Sequence, residues 1–298
     1  MNAKLMMALV ASAMAFGAFA QEAKAPQGVK EKEDDSFIST EFGLGFDSKF
    51  MSYGLVDNND PIVTPSASMT LWEHFTFSVV ALFDTTKYGR ERRGGYGNRA
   101  GKYFELDPGA SIDWSFSKDD YDWLPTKFDV SLGYGYEYHP RSMGGGTGEP
   151  GDDTQFITLD IECPDLWLEP TLSFERDIDR DNGTYVNLEI GHTIGLVGDD
   201  DDPTLALKPS IAQGIGNTQR TRGYGIAEDH GGFMDTTLKV ELTWKIKEFL
   251  ELSGYVAYYD YIFDSTLREG AREYTGKSKR GSDESYHFVG GVALKASF

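Results

Sequence analysis

Cysteine is nearly absent from this chain of 298 residues, since Cys163 is its only one and no internal disulfide can form. An exported chain of this size must then be stabilised by something other than cross-links. Long apolar runs are lacking as well. No window after residue 20 approaches the roughly eighteen unbroken apolar residues that a membrane-spanning helix requires. If the protein crosses a membrane, it must do so as a closed barrel of β-strands.

Basic residues are also scarce. Lysine and arginine number 28 against 48 aspartates and glutamates, which gives a formal net charge of −20 at pH 7. This excess of negative charge argues against a nucleic-acid partner, because binding to phosphates depends on cationic side chains. The hydrophobic content of 40% suits a membrane barrel, in which only alternate residues face lipid while the lumen and loops are polar.

The N-terminus has the three parts of a secretory signal peptide. Lys4 supplies the positive charge, Leu5 to Phe19 form an apolar stretch, and Ala18-Phe-Ala20 precedes Gln21 as a cleavage site. The expected organisation is a signal peptide at 1–20, a periplasmic tail at 21–36 and a barrel at 37–298.

The C-terminal strand indicates the barrel most directly. Phe288, Val292 and Leu294 share one face of this strand, whereas His287 and Lys295 take the other, and the chain stops at Phe298. In an outer-membrane barrel such a strand pairs with the first strand while its apolar face meets lipid.

The whole chain from residue 37 divides into about twelve segments of alternating polarity separated by turn-forming stretches. The predicted fold is therefore all-β, a closed antiparallel transmembrane β-barrel of about twelve strands, with a secreted soluble β-fold as the alternative. The predicted strands are 37–54, 62–72, 75–87, 103–117, 127–139, 154–163, 167–178, 184–196, 204–213, 234–246, 250–263 and 285–298.

Connection lengths favour the membrane barrel. Starting the first strand in the periplasm makes the long connections extracellular, and most periplasmic ones short, although 118–125 and 198–203 are expected to be longer and acidic. All five tryptophans lie at or beside the periplasmic connections, as an interfacial aromatic belt requires. They are Trp72, Trp114, Trp123, Trp167 and Trp244.

Four prolines fall within predicted strands, namely Pro65, Pro108, Pro170 and Pro209. Proline has no N–H to donate to a neighbouring strand, so each is expected at a bulge, a strand end or a rim.

With the parity fixed, the inward positions are rich in carboxylates, and lysines are fewer. Such a lumen should favour cations or polar neutral solutes. The alternative is that these charges pair across a narrow barrel and fill it. The predicted lumen residues are Glu41, Asp47, Lys49, Asp113, Asp129, Glu137, Glu175, Glu189, Lys239, Glu241, Lys245 and Lys295.

Arginines and lysines cluster in two predicted extracellular loops. They suit lipopolysaccharide phosphates or an inward-folded constriction, with a solvated loop as the alternative. This basic cluster is Arg90, Arg92, Arg93, Arg99, Arg268, Arg272, Lys279 and Arg280. The acidic run 199–202 lacks the ligand spacing of a calcium loop and is interpreted as a solvated turn, so no metal site is predicted.

Catalysis has little support. The five histidines lie in no G-x-S-x-G or paired-histidine motif, so neither an enzyme nor a cofactor is expected. These histidines are His74, His139, His192, His230 and His287.

The stretch from Phe46 to Leu55, followed by Asn58-Asn-Asp-Pro61 and Pro65-Ser-Ala-Ser68, resembles the first hairpin of small Gram-negative porin-like barrels. It is most similar to the TorF-type porins, whose first strand carries a Ser, aromatic, Arg-Gly pattern. Ser48, Phe50, Gly54 and Leu55 fit this pattern, and Tyr53 stands where the family usually has arginine. The resemblance covers one hairpin plus Phe298 and implies a porin-like role.

These observations together predict an outer-membrane channel for passive diffusion of small polar solutes. Its expected partners are outer-membrane lipid and lipopolysaccharide, the barrel-assembly machinery through the strand ending at Phe298, and a small polar solute. The rival hypothesis is a structural or adhesive barrel with a plugged lumen that acts through its extracellular loops.

Overall fold

The computed structural model describes residues 37–85, 101, 103–117, 121–139, 153–199, 202–277 and 284–298. The predicted signal peptide and periplasmic tail lie outside these residues. Among the described helices, none has the length and apolar character needed to cross a membrane.

Fifteen strands and two helices make up the described chain. The strands are β1 (Ile38–Asp47), β2 (Phe50–Ser52), β3 (Leu55–Asn58), β4 (Ile62–Leu71), β5 (Phe75–Asp84), β6 (Tyr103–Phe116), β7 (Phe128–Glu137), β8 (Thr154–Glu162), β9 (Thr171–Asp177), β10 (Thr184–Gly191), β11 (Ile194–Asp199), β12 (Asp202–Gly216), β13 (Gly232–Lys247), β14 (Leu250–Asp260) and β15 (His287–Ser297). The helices are α1 (Thr218–Gly223) and α2 (Ser265–Lys277).

The sheet closes on itself. From β4 to β10 and again from β11 to β15 each strand pairs antiparallel with the next, and β1 pairs with both β4 and β15. β10 and β11 both pair with β12, so they form one interrupted strand, and twelve strands surround the lumen. At the closing seam the backbones of Thr40 and Phe298 exchange hydrogen bonds of 2.9 and 2.8 Å. The predicted twelve-stranded antiparallel barrel is confirmed.

The outer face of the barrel is apolar. On β1, for example, Phe42, Leu44 and Phe46 are 45%, 54% and 44% exposed, while the residues between them face the lumen. Leaving a side chain of this kind in water costs about 1.5–3 kcal/mol relative to burying it, so a belt of them requires lipid. The fold is that of an outer-membrane β-barrel.

The two ends of the barrel differ. One end, the short-turn end, carries the connections 72–74, 117–127, 163–170, 200–201 and 248–249, whereas the other, the long-loop end, carries 48–61, 85–102, 138–153, 178–183, 217–231 and 261–286. All five tryptophans are exposed at or near the short-turn end. Trp72 packs edge-on against Phe37 there, and Phe249 stacks on Phe298, which builds an aromatic girdle at one depth.

The first predicted strand, 37–54, is wrong beyond Asp47. The chain leaves the wall at that point, and β2 and β3 form a separate hairpin that enters the lumen. Leu55 and Val56 are consecutive in sequence and both buried. On a wall strand one of two consecutive side chains would face the lipid, so the hairpin does not have the alternating burial of the wall. The acidic connection 198–203 was predicted too long as well, because Asp199 pairs with Asp202 and only 200–201 connect the strands.

Each of the four strand prolines lies where a ladder is interrupted. Pro65 falls in the gap between the β4–β5 pairs of Val63 and Ser66, and Pro108 falls beside the first β6–β7 pair, at Gly109. Pro209 lies opposite the break between β10 and β11, and Pro170 immediately precedes β9. The missing N–H groups therefore remove no bond from an intact ladder.

Candidate functional site

A cavity of about 1230 Å³ runs inside the barrel from the short-turn end to the inward hairpin, Phe50–Asn58. Glu73, Asp165 and Pro203 line it at the short-turn end, and Phe50 and Met51 of the hairpin line it at the other. Twelve carboxylate side chains and six lysines contribute to the lining. The cavity therefore carries a clear excess of negative charge.

One side of the cavity is an acidic wall, made by Asp113, Asp129, Asp160 and Glu162 on β6 to β8. Hydroxyl groups bind several of these carboxylates, and one of the four, Asp129, also has a cation beside it, the Lys127 ammonium at 3.3 Å. Ser131 and Thr76 donate to Asp113 at 2.5 and 2.8 Å, and Ser115 donates to Asp129 at 2.6 Å. Because a hydroxyl leaves the carboxylate charge in place, this wall keeps its negative potential.

The opposite side is a paired wall, in which lysines lie against carboxylates. Lys295 binds Glu41 at 2.6 Å and Lys239 lies 3.3 Å from Glu241. Lys208 and Lys245 pair with Glu169 and Asp202 in the same way. Since these ion pairs are close to neutral, the unbalanced charge in the cavity comes mainly from the acidic wall.

Ten of the twelve predicted lumen residues line this cavity. The other two, Glu137 and Glu175, also face inward but lie nearer the long-loop end, beyond the hairpin. Glu175 is buried against Arg220 there, with 2.8 Å between carboxylate and guanidinium. All twelve lie in the barrel interior, eleven on wall strands and Lys49 beyond the end of β1, but inward parity did not separate those that meet open space from those that are packed.

The inward hairpin enters the lumen from the end of β1 and contacts the wall on both sides of that strand. Met51 and Val56 pack against Ala257, Tyr259 and Val289 of β14 and β15. On the other side, Phe50 packs against a buried apolar cluster of β4 to β6. The members of that cluster are Ile62, Val80, Leu82 and Phe104.

A glycine allows the hairpin to turn inside the barrel. Tyr53 and Gly54 both have positive φ, 50° and 76°, a backbone conformation that glycine adopts without steric cost. A Cβ on Gly54 would lie 2.3 Å from the Cβ of Asp235 on β13, so a larger residue cannot occupy this position without displacing the hairpin.

The tip of the hairpin carries Tyr53, which lies in a buried polar network. Its hydroxyl donates to Glu175 at 2.6 Å and accepts from Arg220 at 3.1 Å, while the Arg220 guanidinium lies 4.7 Å from the Tyr53 ring. Arg220 also lies 3.6 Å from Asp181. The network fastens the hairpin to β9 and to α1, whose first turn is capped by Asn217.

Apolar packing fills the rest of the long-loop half. Tyr53 and Leu55 of the hairpin join a buried cluster with residues of the wall and of α2. Its other buried members are Tyr185, Ile226, Met234, Tyr261, Leu267 and Ala271. The hairpin is thus held by both a polar network and an apolar core.

Helix α2 is anchored to the wall at its N-terminus. The Asp264 carboxylate accepts from the amides of Thr266 and Leu267 and binds His230 at 2.7 Å. Burial alone would raise the pKa of Asp264, but these hydrogen bonds outweigh it and lower the pKa below its usual value. The capped helix covers the long-loop end beside the hairpin.

The predicted basic cluster is described only in part. Arg268 binds Asp260 at 2.9 Å and donates to Ser285, so it ties α2 to the wall. Arg272 is exposed and pairs with Glu269 on the same helix at 3.0 Å. The remaining members, Arg90, Arg92, Arg93, Arg99, Lys279 and Arg280, lie outside the described residues.

Three of the histidines have structural contacts. A ring nitrogen of His74 bonds the Asp113 carbonyl at 2.9 Å, and one of His192 bonds the Trp167 carbonyl at 2.8 Å. His230 supports Asp264, as described above. Contacts of this kind orient loops and turns. That the protein is not an enzyme stays a prediction.

Sequence reasoning missed Arg220 as a lumen residue, because it lies in a stretch predicted as an extracellular loop. It also missed the pairing of Glu105 with His139, which lie 3.3 Å apart on the inner face of neighbouring strands. The available signal was the spacing of Glu105-x-Asp107 and Glu137-x-His139, which gives each pair one face of its strand.

No family model matches the chain, and no curated protein matches it. Among solved structures, the KdgM porin in complex with disordered oligogalacturonate is similar over 87% of this chain and 99% of its own, with 10% identity and a TM-score of 0.46. An outer membrane channel from Pseudomonas putida F1 is similar over 90% of this chain and 100% of its own, with 9% identity and a TM-score of 0.45. OccAB3 of Acinetobacter baumannii is similar over 89% of this chain and 66% of its own, with 9% identity and a TM-score of 0.39. The resemblance to TorF-type porins stays a prediction.

Proposed function

We propose that this protein is a porin-like channel of a Gram-negative outer membrane, which passes small polar solutes and prefers cations. The cavity inside the barrel is the observation that carries this proposal. A barrel with a purely structural role has no need of about 1230 Å³ of space lined by charged side chains. The space opens from the short-turn end, which we assign to the periplasm.

The preference for cations follows from the two walls. On the paired wall each lysine charge is compensated locally, whereas the acidic wall holds four carboxylates, of which Asp113 and Asp160 bind hydroxyl groups and Asp129 lies 3.3 Å from Lys127. A wall of net negative charge in a confined space concentrates cations and repels anions. Neutral polar solutes would enter by hydrogen bonding to the same carboxylates and hydroxyls.

The inward hairpin would set the size limit. It crosses the lumen between the cavity and the long-loop end, so a solute must pass beside it or displace it. The network around Tyr53 and Arg220 would determine how readily the hairpin moves.

Single-channel recording in planar bilayers tests the proposal. Wild-type protein should give conductance steps, and a potassium chloride gradient should give a reversal potential of the sign expected for cation preference. Combined Asp113→Asn, Asp129→Asn and Asp160→Asn substitutions should move that potential toward zero. Glu269→Gln, which removes an exposed carboxylate on α2, is the control and should leave the reversal potential unchanged. Replacing residues 50–58 with a short Gly-Ser linker should enlarge the steps.

The plugged-barrel hypothesis is the second candidate, and the packing of the hairpin favours it. Leu55 and Val56 are almost fully buried, so displacing the hairpin would expose apolar surface. This hypothesis predicts silence from the wild-type protein and conductance only after the hairpin is replaced. If neither form conducts, the channel proposal fails.

A further inference from the structure

A group of ionisable side chains on the inner face of β6 and β7 takes no part in the cavity described above. The register that pairs Gly109 with Gly135 and Leu106 with Tyr138 sets two pairs of residues directly opposite each other. Asp107 faces Glu137, and Glu105 faces His139. These four residues form the wall cluster.

The geometry of the wall cluster suits a metal ion. Ligand atoms of Glu105, Glu137 and His139 all lie within 4.8 Å of one another. Side chains directly opposite on antiparallel strands have Cβ atoms about 4.5–5.5 Å apart, so Asp107, which lies opposite Glu137, is next to this group of three ligands. Pro108 interrupts the β6–β7 ladder at this point, which is a further local feature of the site.

Asp107 gives an independent indication that the cluster binds a cation. Its side chain is 0% exposed, and within the described residues neither of its carboxylate oxygens has a hydrogen-bond partner. On β5 its register neighbour is the buried Val80, which offers no polar group. A buried carboxylate without partners is costly, and such a group in a folded protein points to an ion or a water that satisfies it.

Arg220 does not fill this role. The Arg220 guanidinium is already bound by Glu175 and Asp181, and so its charge is shared between two other carboxylates. His139 retains 25% of its side-chain exposure, which leaves a route to the cluster from the long-loop end.

We propose that Glu105, Asp107, Glu137 and His139 bind a divalent transition-metal ion. Three carboxylates supply the oxygen ligands and negative charge that neutralise a divalent cation, and the imidazole selects metals that accept nitrogen, such as Zn²⁺ or Mn²⁺, over Mg²⁺ and Ca²⁺. The site cross-links two neighbouring strands just beside the inward hairpin.

Equilibrium dialysis of the full-length barrel in detergent, with Zn²⁺ and separately Mn²⁺ in the presence of excess Mg²⁺, tests the site. The wild-type protein should take up one ion per chain. Combined Asp107→Asn and Glu137→Gln substitutions remove direct ligands and should weaken binding by more than the roughly 10- to 100-fold that is typical for outer partners of ligands. Asp229 and Glu269 are exposed carboxylates of the long-loop end that lie outside the cluster and the acidic wall, so Asp229→Asn with Glu269→Gln is a matched control that should bind normally.

His139→Gln gives a second variant at the end of the strand, and it should weaken Zn²⁺ binding more than Mn²⁺ binding, because imidazole contributes more to the zinc site. The heat-dependent shift in gel mobility shown by folded barrels checks that every variant has folded. Absence of uptake by the wild-type protein overturns the proposal. Equal uptake by the wild type, the double variant and His139→Gln also overturns it.

Discussion

At the scale of single residues, Arg220 is the side chain on which the filled half of the lumen depends most. It is 2% exposed and its guanidinium is held by Glu175, Asp181 and Tyr53. Arg220→Met keeps the length of the side chain but leaves two carboxylates without their counter-charge. Removing one partner of a buried ion pair costs about 3–5 kcal/mol. We expect a loss of that size in the free energy of unfolding, measured by urea titration of the barrel in lipid vesicles.

Arg222→Met provides the comparison, because Arg222 lies two residues further along α1 and is exposed. Surface substitutions of this kind usually change stability by no more than about 0.5 kcal/mol. Equal effects of the two substitutions would show that the charge of Arg220, rather than its place in the network, is what matters.

Residue orientation on the wall strands was predictable from sequence, and the lumen network was not. Alternation fixed the inward direction of residues such as Asp113 and Lys295, because a strand has a period of two. Arg220 lies on the short helix α1 within a connection between strands, where the period of a strand assigns no direction. Its partner Tyr53 is 167 positions away in sequence. A contact over that separation depends on the closed barrel and on the inward hairpin together.

At the scale of elements, α2 depends on its cap. Asp264 accepts two amide hydrogen bonds in the first turn, and replacing such a cap costs about 1 kcal/mol. Asp264→Ala should therefore accelerate hydrogen exchange of the α2 amides about fivefold at neutral pH, since this energy corresponds to about that factor in the opening equilibrium.

The cap also gives α2 a pH dependence of known sign. Because the folded-state pKa of Asp264 is lowered, its contribution is fully present above the ordinary aspartate value of about 3.9 and is lost as the pH falls through the lower folded value. Hydrogen exchange below that range should no longer distinguish wild type from Asp264→Ala. A difference that persists there would mean that packing of residue 264, and not its charge, stabilises the helix.

The strands of the wall were predicted well because each combines alternating polarity with turn residues at its ends. The inward hairpin was misread as the continuation of β1. Phe50 and Ser52 do alternate with their neighbours, and the turn at Tyr53 and Gly54 lies where a strand end was expected. Long-range strand pairing decides whether residues after Asp47 continue β1 or turn inward as the hairpin. Asp47 pairs with Ile62 on β4 and with Gly291 on β15, and these are the last pairs of β1. The end of the strand is therefore set by its neighbours in the barrel and not by the local sequence pattern.

At the scale of the whole molecule, closure of the barrel depends on the last residue. The Phe298 backbone exchanges two hydrogen bonds with Thr40, and its ring stacks on Phe249 with 5.9 Å between centroids. Each hydrogen bond contributes about 0.5–1.5 kcal/mol and the aromatic pair a similar amount. Phe298→Ala keeps the backbone bonds and loses the ring, whereas deletion of Phe298 loses both. Urea titration in vesicles should therefore rank stability as wild type, then Phe298→Ala, then the deletion. If the substitution and the deletion were equally destabilising, the ring of Phe298 would account for its whole contribution to the seam, and its two backbone hydrogen bonds with Thr40 would contribute nothing measurable.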